Sequence, residues 1–167
     1  MTERAAQTHP FPPLYDAWSR VLILGSFPSV KSREQRFFYG HPQNRFWRVL
    51  AAMFGEDAPA TVEEKVALVL RNRLALWDVI ARCEIVGSSD ASIANAVPND
   101  LRPILAAADV RAIFCNGGTS YKCYNRLLRD ALGREARLLP STSPANAQWS
   151  LEGLTAAWGA AILPCLE

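Results

Sequence analysis

Four short apolar runs alternate with longer amphipathic segments, and this alternation restricts the possible folds more than any other feature of the chain. The runs predict strands at residues 20–25, Leu74–Ile80, Arg111–Cys115 and Ala136–Leu139. Buried strands that alternate with helices are typical of a parallel sheet with helices on both faces. The sequence therefore predicts an α/β protein with a three-layer α/β/α architecture.

The segments between the runs carry helix signals. Apolar residues that share one face predict a helix over 44–54, and Thr61 and Ser150 are suited to cap two further helices. We also expect a short helix from about 100 to 107 and a longer one over 119–132. No linker or internal repeat interrupts these elements.

A length of 167 residues suits one domain. We predict a single domain over 1–167, in which residues 1–19 form an extended, proline-containing lead-in. No apolar run approaches the roughly 20 residues of a membrane span, so we expect no membrane partner. Residues 1–13 lack the apolar centre of a secretory signal, which predicts a cytoplasmic location. Nothing in the sequence requires more than a monomer.

The four cysteines are scattered along the chain without a C-x-x-C pair. A zinc or iron–sulfur site needs a convergent set of thiolates. We therefore expect no metal ion, no iron–sulfur cluster and no other cofactor, and we interpret the cysteines as small buried hydrophobic residues.

Two polar loops follow predicted strands. The first consists of two segments, Gly25–Ser29, directly after Val21–Leu24, and Tyr39–Trp47. The second, Ser141–Asn146, follows the strand that ends near Leu139. Because ligands bind at the carboxyl ends of strands in open parallel sheets, the two loops predict one composite site.

The first loop is followed by an excess of positive charge. The whole chain has a net charge of only +2, but residues 31–48 oppose one acid, Glu34, with Lys31, Arg33, Arg36, Arg45 and Arg48. This excess favours local attraction of phosphate groups. A solvated charged surface explains the same residues equally well.

Both loops resemble the signature loops of the uracil-DNA glycosylase superfamily, above all those of its hypoxanthine (deoxyinosine) DNA glycosylase branch. Trp77–Ile80 and Phe114–Gly117 also resemble this family, so the likeness covers roughly residues 20–160. It implies a central four-stranded parallel sheet, damaged DNA as the partner, and hydrolysis of the bond between a damaged base and its deoxyribose. Such enzymes rotate the nucleotide out of the duplex at a cost of a few kcal/mol.

One position departs from the pattern of the family. Phe27 stands where many relatives carry an acid or amide two residues after the glycine, and the branch instead relies on an asparagine that corresponds to Asn44. A carboxamide offers an acceptor and a donor, so Asn44 could hold a water or the base edge, but it cannot act as a strong general base. A helix N-cap is the competing interpretation of Asn44.

The resemblance and the chemistry together define the candidate site. We favour Phe27 as the ring that stacks on the flipped base, with Tyr39 as a second wall. Further candidates for the base pocket are Gly25, Ser26, Pro28, Gly40, His41 and Asn116. Candidates for DNA contacts are Ser29, Lys31, Arg33, Ser141, Thr142, Ser143, Pro144, Ala145 and Asn146. The tip at 144–146 is expected to enter the duplex, and because Ala145 is small, Asn146 or a neighbour is expected to act as the wedge.

Neither loop contains a carboxylate, which favours catalysis through positioning and electrostatics. A lyase step would need a lysine at the sugar, and only Lys31 of the three lysines is expected nearby. We therefore predict a monofunctional glycosylase. Two alternatives stay open: uracil as the substrate base, and a non-catalytic nucleic-acid-binding module on the same fold.

Overall fold

The structure is a computed structural model that describes residues 3–167. Within this range the strands are β1 Arg4–Thr8, β2 Val21–Gly25, β3 Leu74–Asp78, β4 Ile80–Val86, β5 Ala94–Pro98, β6 Ala112–Asn116 and β7 Arg137–Leu139. The helices are α1 Val30–Gln35, α2 Phe46–Met53, α3 Val62–Arg71, α4 Arg102–Ala107, α5 Gly118–Leu127, α6 Arg129–Leu132 and α7 Leu151–Ile162. Short 3₁₀ turns cover Asp90–Ser92 and Leu163–Leu166.

The central sheet has the strand order β3–β2–β6–β7, and all of its strands are parallel. Its middle strand, β2, is buried along its whole length, and Leu24 pairs with Trp77 on one side and Cys115 on the other. Helices flank this sheet, so the predicted α/β architecture is confirmed. The predicted strand Leu74–Ile80 divides, because β3 ends at Asp78 and Ile80 already belongs to the next strand.

The predicted helix caps are confirmed. The Thr61 hydroxyl accepts a hydrogen bond from the Glu64 amide at 3.1 Å, and the Ser150 hydroxyl accepts one from the Gly153 amide at 3.0 Å. The helix predicted over 119–132 breaks at Leu128 into α5 and α6. Helix α1 was not predicted, because its six residues are too few to display a helical period.

A second sheet, β1–β4–β5, is antiparallel and was not predicted. Strand β1 lies in the predicted lead-in, which is extended but pairs with β4 along its whole length. Its residues are mostly exposed, so the sequence contains no apolar alternation from which to predict a strand. Residues 1–2 of the lead-in lie outside the described residues.

The cysteines match their interpretation as buried residues. Cys83, Cys115 and Cys123 are buried and unbridged, and Cys165 is half-buried. Burial raises the pKa of Cys115 to about 11, so this thiol stays protonated at neutral pH. Over residues 3–167, no group of three or more His, Cys, Asp or Glu side chains is placed to hold a metal ion, and no helix is long and apolar enough to cross a membrane.

A buried histidine–carboxylate contact joins the lead-in to the central sheet. His9 Nε2 donates to Asp78 Oδ2 at 2.7 Å, and their side chains are 3% and 7% exposed. The His9 ring also packs on Trp77 and Phe11, with 4.4 Å between ring centroids in each case. Because a buried carboxylate needs partners, this contact fixes the side chain that ends β3.

Replacement of His9 or of Asp78 should therefore lower the free energy of unfolding. Replacement of both should lower it by less than the sum of the two single effects. We expect His9→Ala to lower the free energy of unfolding by about 2–3 kcal/mol, because it leaves the Asp78 carboxylate buried without its donor. The double variant His9→Ala/Asp78→Asn should recover part of this loss in urea unfolding. Strictly additive losses would show that the contact contributes nothing to stability.

Candidate active site

A cavity of about 330 Å³ opens at the carboxyl ends of β2, β3 and β6. Gly25, Asp78 and Asn116, the last residues of these strands, all contribute to its wall. Both polar loops reach it, as predicted. The predicted residues on its wall are Gly25, Ser26, Phe27, Pro28, Ser29, Tyr39, His41, Asn44, Asn116, Ser141, Thr142, Ser143, Pro144 and Ala145.

Two donors fix the orientation of the Asn44 side chain. Its Oδ1 accepts hydrogen bonds from the Phe46 amide and from the Thr142 hydroxyl, both at 2.9 Å. The first bond attaches Asn44 to the start of α2, as a helix cap would. Asn44 therefore has a cap-like role and also lies on the cavity wall. Because Oδ1 already accepts two hydrogen bonds, the Nδ2 amino group is the part of Asn44 that can contact a ligand.

Thr142 connects the second loop to Asn44 and Asn116. Asn116 Nδ2 donates to the Thr142 hydroxyl, and the Thr142 amide donates to Asn116 Oδ1, both at 3.0 Å. The Thr142 carbonyl accepts from the Arg45 amide, also at 3.0 Å. Thr142 is fully buried, and its hydroxyl, amide and carbonyl all bind within the protein.

Two arginines of the predicted phosphate-attracting segment bind the protein itself. The Arg45 guanidinium donates to the carbonyls of Ser143 and Asn146, each at 3.0 Å, and to that of Trp149. The Arg33 guanidinium donates to the Pro28 carbonyl at 2.7 Å and to the Gly87 carbonyl at 3.1 Å. These arginines hold the loops in place, and the exposed cations of the segment are Lys31, Arg36 and Arg48.

Four predicted site residues lie outside the cavity wall. The exposed Lys31 pairs with Glu34 at 3.7 Å, and the Arg33 guanidinium lies over the Phe27 ring, with its carbon 5.6 Å from the ring centroid. The Gly40 amide donates to the Ser32 hydroxyl at 2.9 Å. Asn146 Nδ2 donates to the Ser141 carbonyl at 3.0 Å.

Aromatic rings form the apolar part of the cavity. Phe27 is 7% exposed, and its exposed surface faces the cavity. The Tyr39 ring stacks on Phe46 with 3.8 Å between centroids and 16° between planes. Phe38 belongs to the core and adds only to the wall. A flat base can therefore contact Phe27 while Tyr39 and Phe46 keep the neighbouring wall rigid.

The floor of the cavity leaves no room for a side chain at Gly25. A Cβ atom there would overlap Asp78 Oδ1 and lie 3.2 Å from the Tyr39 hydroxyl. That hydroxyl is buried without a hydrogen-bond partner among residues 3–167. Burial raises the pKa of Tyr39, and the nearby Asp78 raises it further, so the hydroxyl stays neutral.

Two serines of the second loop, Ser141 and Ser143, have no acceptor for their hydroxyl hydrogens among residues 3–167. The Ser141 hydroxyl accepts from the Ser143 amide at 3.1 Å, and the Ser143 hydroxyl accepts from the Ala145 amide at 3.2 Å. Both hydroxyls can still donate outward to a phosphate oxygen. Pro144 and Ala145 form an exposed tip between the cavity and solvent.

His41 and Ser29 contribute different polar groups to the wall. His41 Nδ1 accepts from the Gln43 amide at 3.1 Å, which places the ring proton of the neutral form on Nε2. The Ser29 hydroxyl accepts from the Ser32 amide at 3.2 Å and donates to the Ser32 hydroxyl at 3.1 Å. Among residues 3–167 nothing accepts from His41 Nε2, so His41 offers a donor, whereas Ser29 serves mainly as the cap of α1.

Two carboxylates on the wall were not among the predicted site residues. Asp78 lies on the floor, and Asp90 reaches the wall from the turn between β4 and β5. The Ser26 hydroxyl donates to Asp90 Oδ1 at 2.9 Å. The run Gly87–Asp90 is a recognisable turn signal, but the strands beside it were not predicted, so its position could not be inferred.

Comparisons with known proteins agree with this arrangement. The family model described as the uracil DNA glycosylase superfamily matches residues 12–164. The chain is 35% identical to a hypoxanthine DNA glycosylase of Methanosarcina acetivorans, over 84% of this chain and 89% of that protein. It is 34% identical to a hypoxanthine DNA glycosylase of Methanosarcina barkeri, over 90% of this chain and 95% of that protein.

A solved structure is similar as well. The fold superposes with a TM-score of 0.79 on the solution NMR structure of a Methanosarcina acetivorans protein that is assigned by its name to the uracil DNA glycosylases. The two sequences are 32% identical, and the match covers 94% of this chain and 97% of the other.

The close packing at Gly25 leads to a stability prediction with a matched control. Gly25→Ala should destabilise the protein by about 1–3 kcal/mol, because the new methyl group displaces an Asp78 carboxylate that His9 holds in place. Gly118→Ala, at the start of α5, meets no atom within 4 Å and should be neutral or slightly stabilising. Thermal unfolding of both variants checks this, and equal melting temperatures would contradict it.

Proposed function

Because the chain belongs to the uracil-DNA glycosylase superfamily, we propose that it is a monofunctional DNA glycosylase that removes hypoxanthine from DNA and leaves an abasic site. Two relatives that align with most of the chain are named hypoxanthine DNA glycosylases, which supports this base over uracil. One observation carries the proposal: the Asn44 carboxamide, held in one orientation, shares a cavity with the Phe27 ring.

In this proposal the flipped purine stacks on Phe27. Stacking on an aromatic ring contributes roughly 1–3 kcal/mol per base, which offsets the cost of unpairing the nucleotide. Tyr39, which stacks on the buried Phe46, also lines the pocket. A base that stays stacked in the duplex cannot make these contacts, so the pocket favours the extruded form.

Asn44 acts as a hydrogen-bond donor in the transition state. Cleavage of the glycosidic bond leaves negative charge on the departing purine and positive charge on the sugar. The Nδ2 amino group donates to an acceptor atom of the purine as this charge grows. A preorganised donor of this kind lowers the barrier by about 3–4 kcal/mol.

The second loop grips the DNA on either side of the flipped nucleotide. The Ser141 and Ser143 hydroxyls donate to phosphate oxygens, and the tip at Pro144–Ala145 occupies the space that the base vacates. The exposed Lys31, Arg36 and Arg48 attract the phosphate backbone from a greater distance. Arg45 acts indirectly, because it holds the loop in the shape that the DNA meets.

The proposal extends to the absence of a lyase step, to the oligomeric state and to the location of the protein. The wall of the cavity has no lysine among residues 3–167, which supports hydrolysis without a Schiff-base lyase step. In the same proposal the protein acts on damaged DNA as a monomer. A cytoplasmic location is consistent with DNA as the substrate.

An excision assay tests the function. We expect the protein to release hypoxanthine from a labelled duplex that contains deoxyinosine, with strand breakage only after the abasic site is cleaved by alkali. Release of uracil alone would reassign the substrate base. Breakage before alkali would contradict the monofunctional mechanism, and no release from any damaged duplex would favour a binding module.

Asn44→Asp isolates the donor group of Asn44. An aspartate keeps the oxygen that accepts from Phe46 and Thr142, but it replaces the amino group with a second acceptor. We expect the single-turnover excision rate to fall by about 100-fold or more, with little change in thermal stability.

Asn44→Ala, which removes the oxygen too, should lose excision and also some stability. Gln43→Ala, a change at an exposed neighbouring residue, is the control and should keep the parental rate. An Asn44→Asp variant with the parental rate would remove the amino group from the mechanism.

A further inference from the structure

A hydrogen bond holds the carboxylate of Asp90 in a fixed position at the mouth of the cavity. Asp90 begins the 3₁₀ turn after β4, and the Ser26 hydroxyl fixes its Oδ1 at 2.9 Å. The preceding residues of this turn are bound to the start of α1, since the Ser88 hydroxyl accepts from the Val30 amide at 2.9 Å and the Gly87 carbonyl accepts from Arg33. The carboxylate is thereby held against the end of β2.

The second oxygen of this carboxylate is uncommitted. Among residues 3–167, no cationic side chain pairs with Asp90 and no donor binds its Oδ2. A lone carboxylate that faces a DNA-binding surface repels phosphates and therefore weakens binding. A protein that only binds DNA would gain nothing from a carboxylate at this position.

Asp90 is better placed to contact the deoxyribose of a flipped nucleotide than to contact its base. Phe27 and Asp78 line the buried end of the cavity, whereas Asp90 is exposed and also borders the neighbouring cavity beside Gly118 and Trp149. A base that stacks on Phe27 leaves its deoxyribose at the mouth. The carboxylate is then on the side from which water can approach the sugar.

We propose that Asp90 is the catalytic residue that orients and deprotonates the attacking water. The inference rests on the proposed function and adds the group that Asn44 cannot supply, because a carboxamide is not a base. The water oxygen forms a bond to C1′ while the bond from C1′ to the purine nitrogen breaks. The bonding pair leaves with the purine, the water proton passes to the free oxygen of Asp90, and the purine anion takes a proton from solvent.

The electrostatic surroundings suit this role. Partial desolvation at the cavity wall raises the pKa of Asp90, the hydrogen bond from Ser26 opposes that rise, and Asp78 adds to it. A raised pKa makes the carboxylate a better proton acceptor near neutral pH. The titratable groups around it are Asp78, Tyr39, Cys83, Cys123 and, on the same wall, His41.

Asp90→Asn tests the proposal, and Asp130→Asn, which removes one negative charge elsewhere on the protein, is its control. We expect single-turnover release of hypoxanthine to fall by about 100-fold or more, with affinity for an undamaged duplex unchanged or tighter. Asp130→Asn, at a side chain that is 91% exposed on α6, should keep the parental rate. Thermal unfolding confirms that each variant is folded.

The pH dependence gives a second readout. The parental rate should rise with pH as the carboxyl loses its proton and then level off, and Asp90→Asn should lack this rise. Ser26→Ala keeps the carboxylate but removes the donor that lowers its pKa, so the rise should move to higher pH. No movement in Ser26→Ala would overturn the proposal even if Asp90→Asn fails to fold.

The outcomes separate the two proposals. An active parent with an Asp90→Asn rate within about threefold of it would overturn the role of Asp90 and leave the glycosylase function standing. A parent that releases no base would overturn both.

Discussion

The arrangement of the site depends on the hydrogen bonds of one fully buried threonine. Thr142 donates to Asn44, accepts from Asn116 and binds the backbone of Arg45, so it joins the second loop to the end of β6 and to the start of α2. Each of these polar groups would be costly to bury alone. Because these bonds converge on one side chain and its backbone, they hold the two loops together and fix the orientation of the Asn44 carboxamide.

This arrangement assigns different tasks to side chains that look alike in the sequence. Arg45 and Arg33 resemble phosphate ligands, but they bind carbonyls of the two loops. Ser141 and Ser143 resemble Thr142, but they keep their hydroxyl hydrogens for an external partner. A surface that must grip DNA and also hold a base therefore uses its buried polar groups for rigidity and its half-exposed ones for contact.

The sequence predicts the parts of the fold that have a strong apolar period. The parallel strands, the caps at Thr61 and Ser150, and the meeting of the two loops all follow from local patterns. The antiparallel sheet does not, because its outer strands, β1 and β5, have no buried residue and pair through the backbone without an apolar alternation. For the same reason Asp90 was missed: its place at the cavity depends on the turn between β4 and β5, whose course the local sequence does not specify.

The most direct test of the account is a crystal structure of the protein with a duplex that carries 2′-fluoro-deoxyinosine, whose glycosidic bond resists hydrolysis. The purine should lie against the Phe27 ring, with Asn44 Nδ2 at about 2.7–3.2 Å from an acceptor atom of the base. The Thr142 hydroxyl should still bind the oxygen of the same carboxamide. A base bound outside this cavity, or an Asn44 amino group turned away from it, would contradict the account.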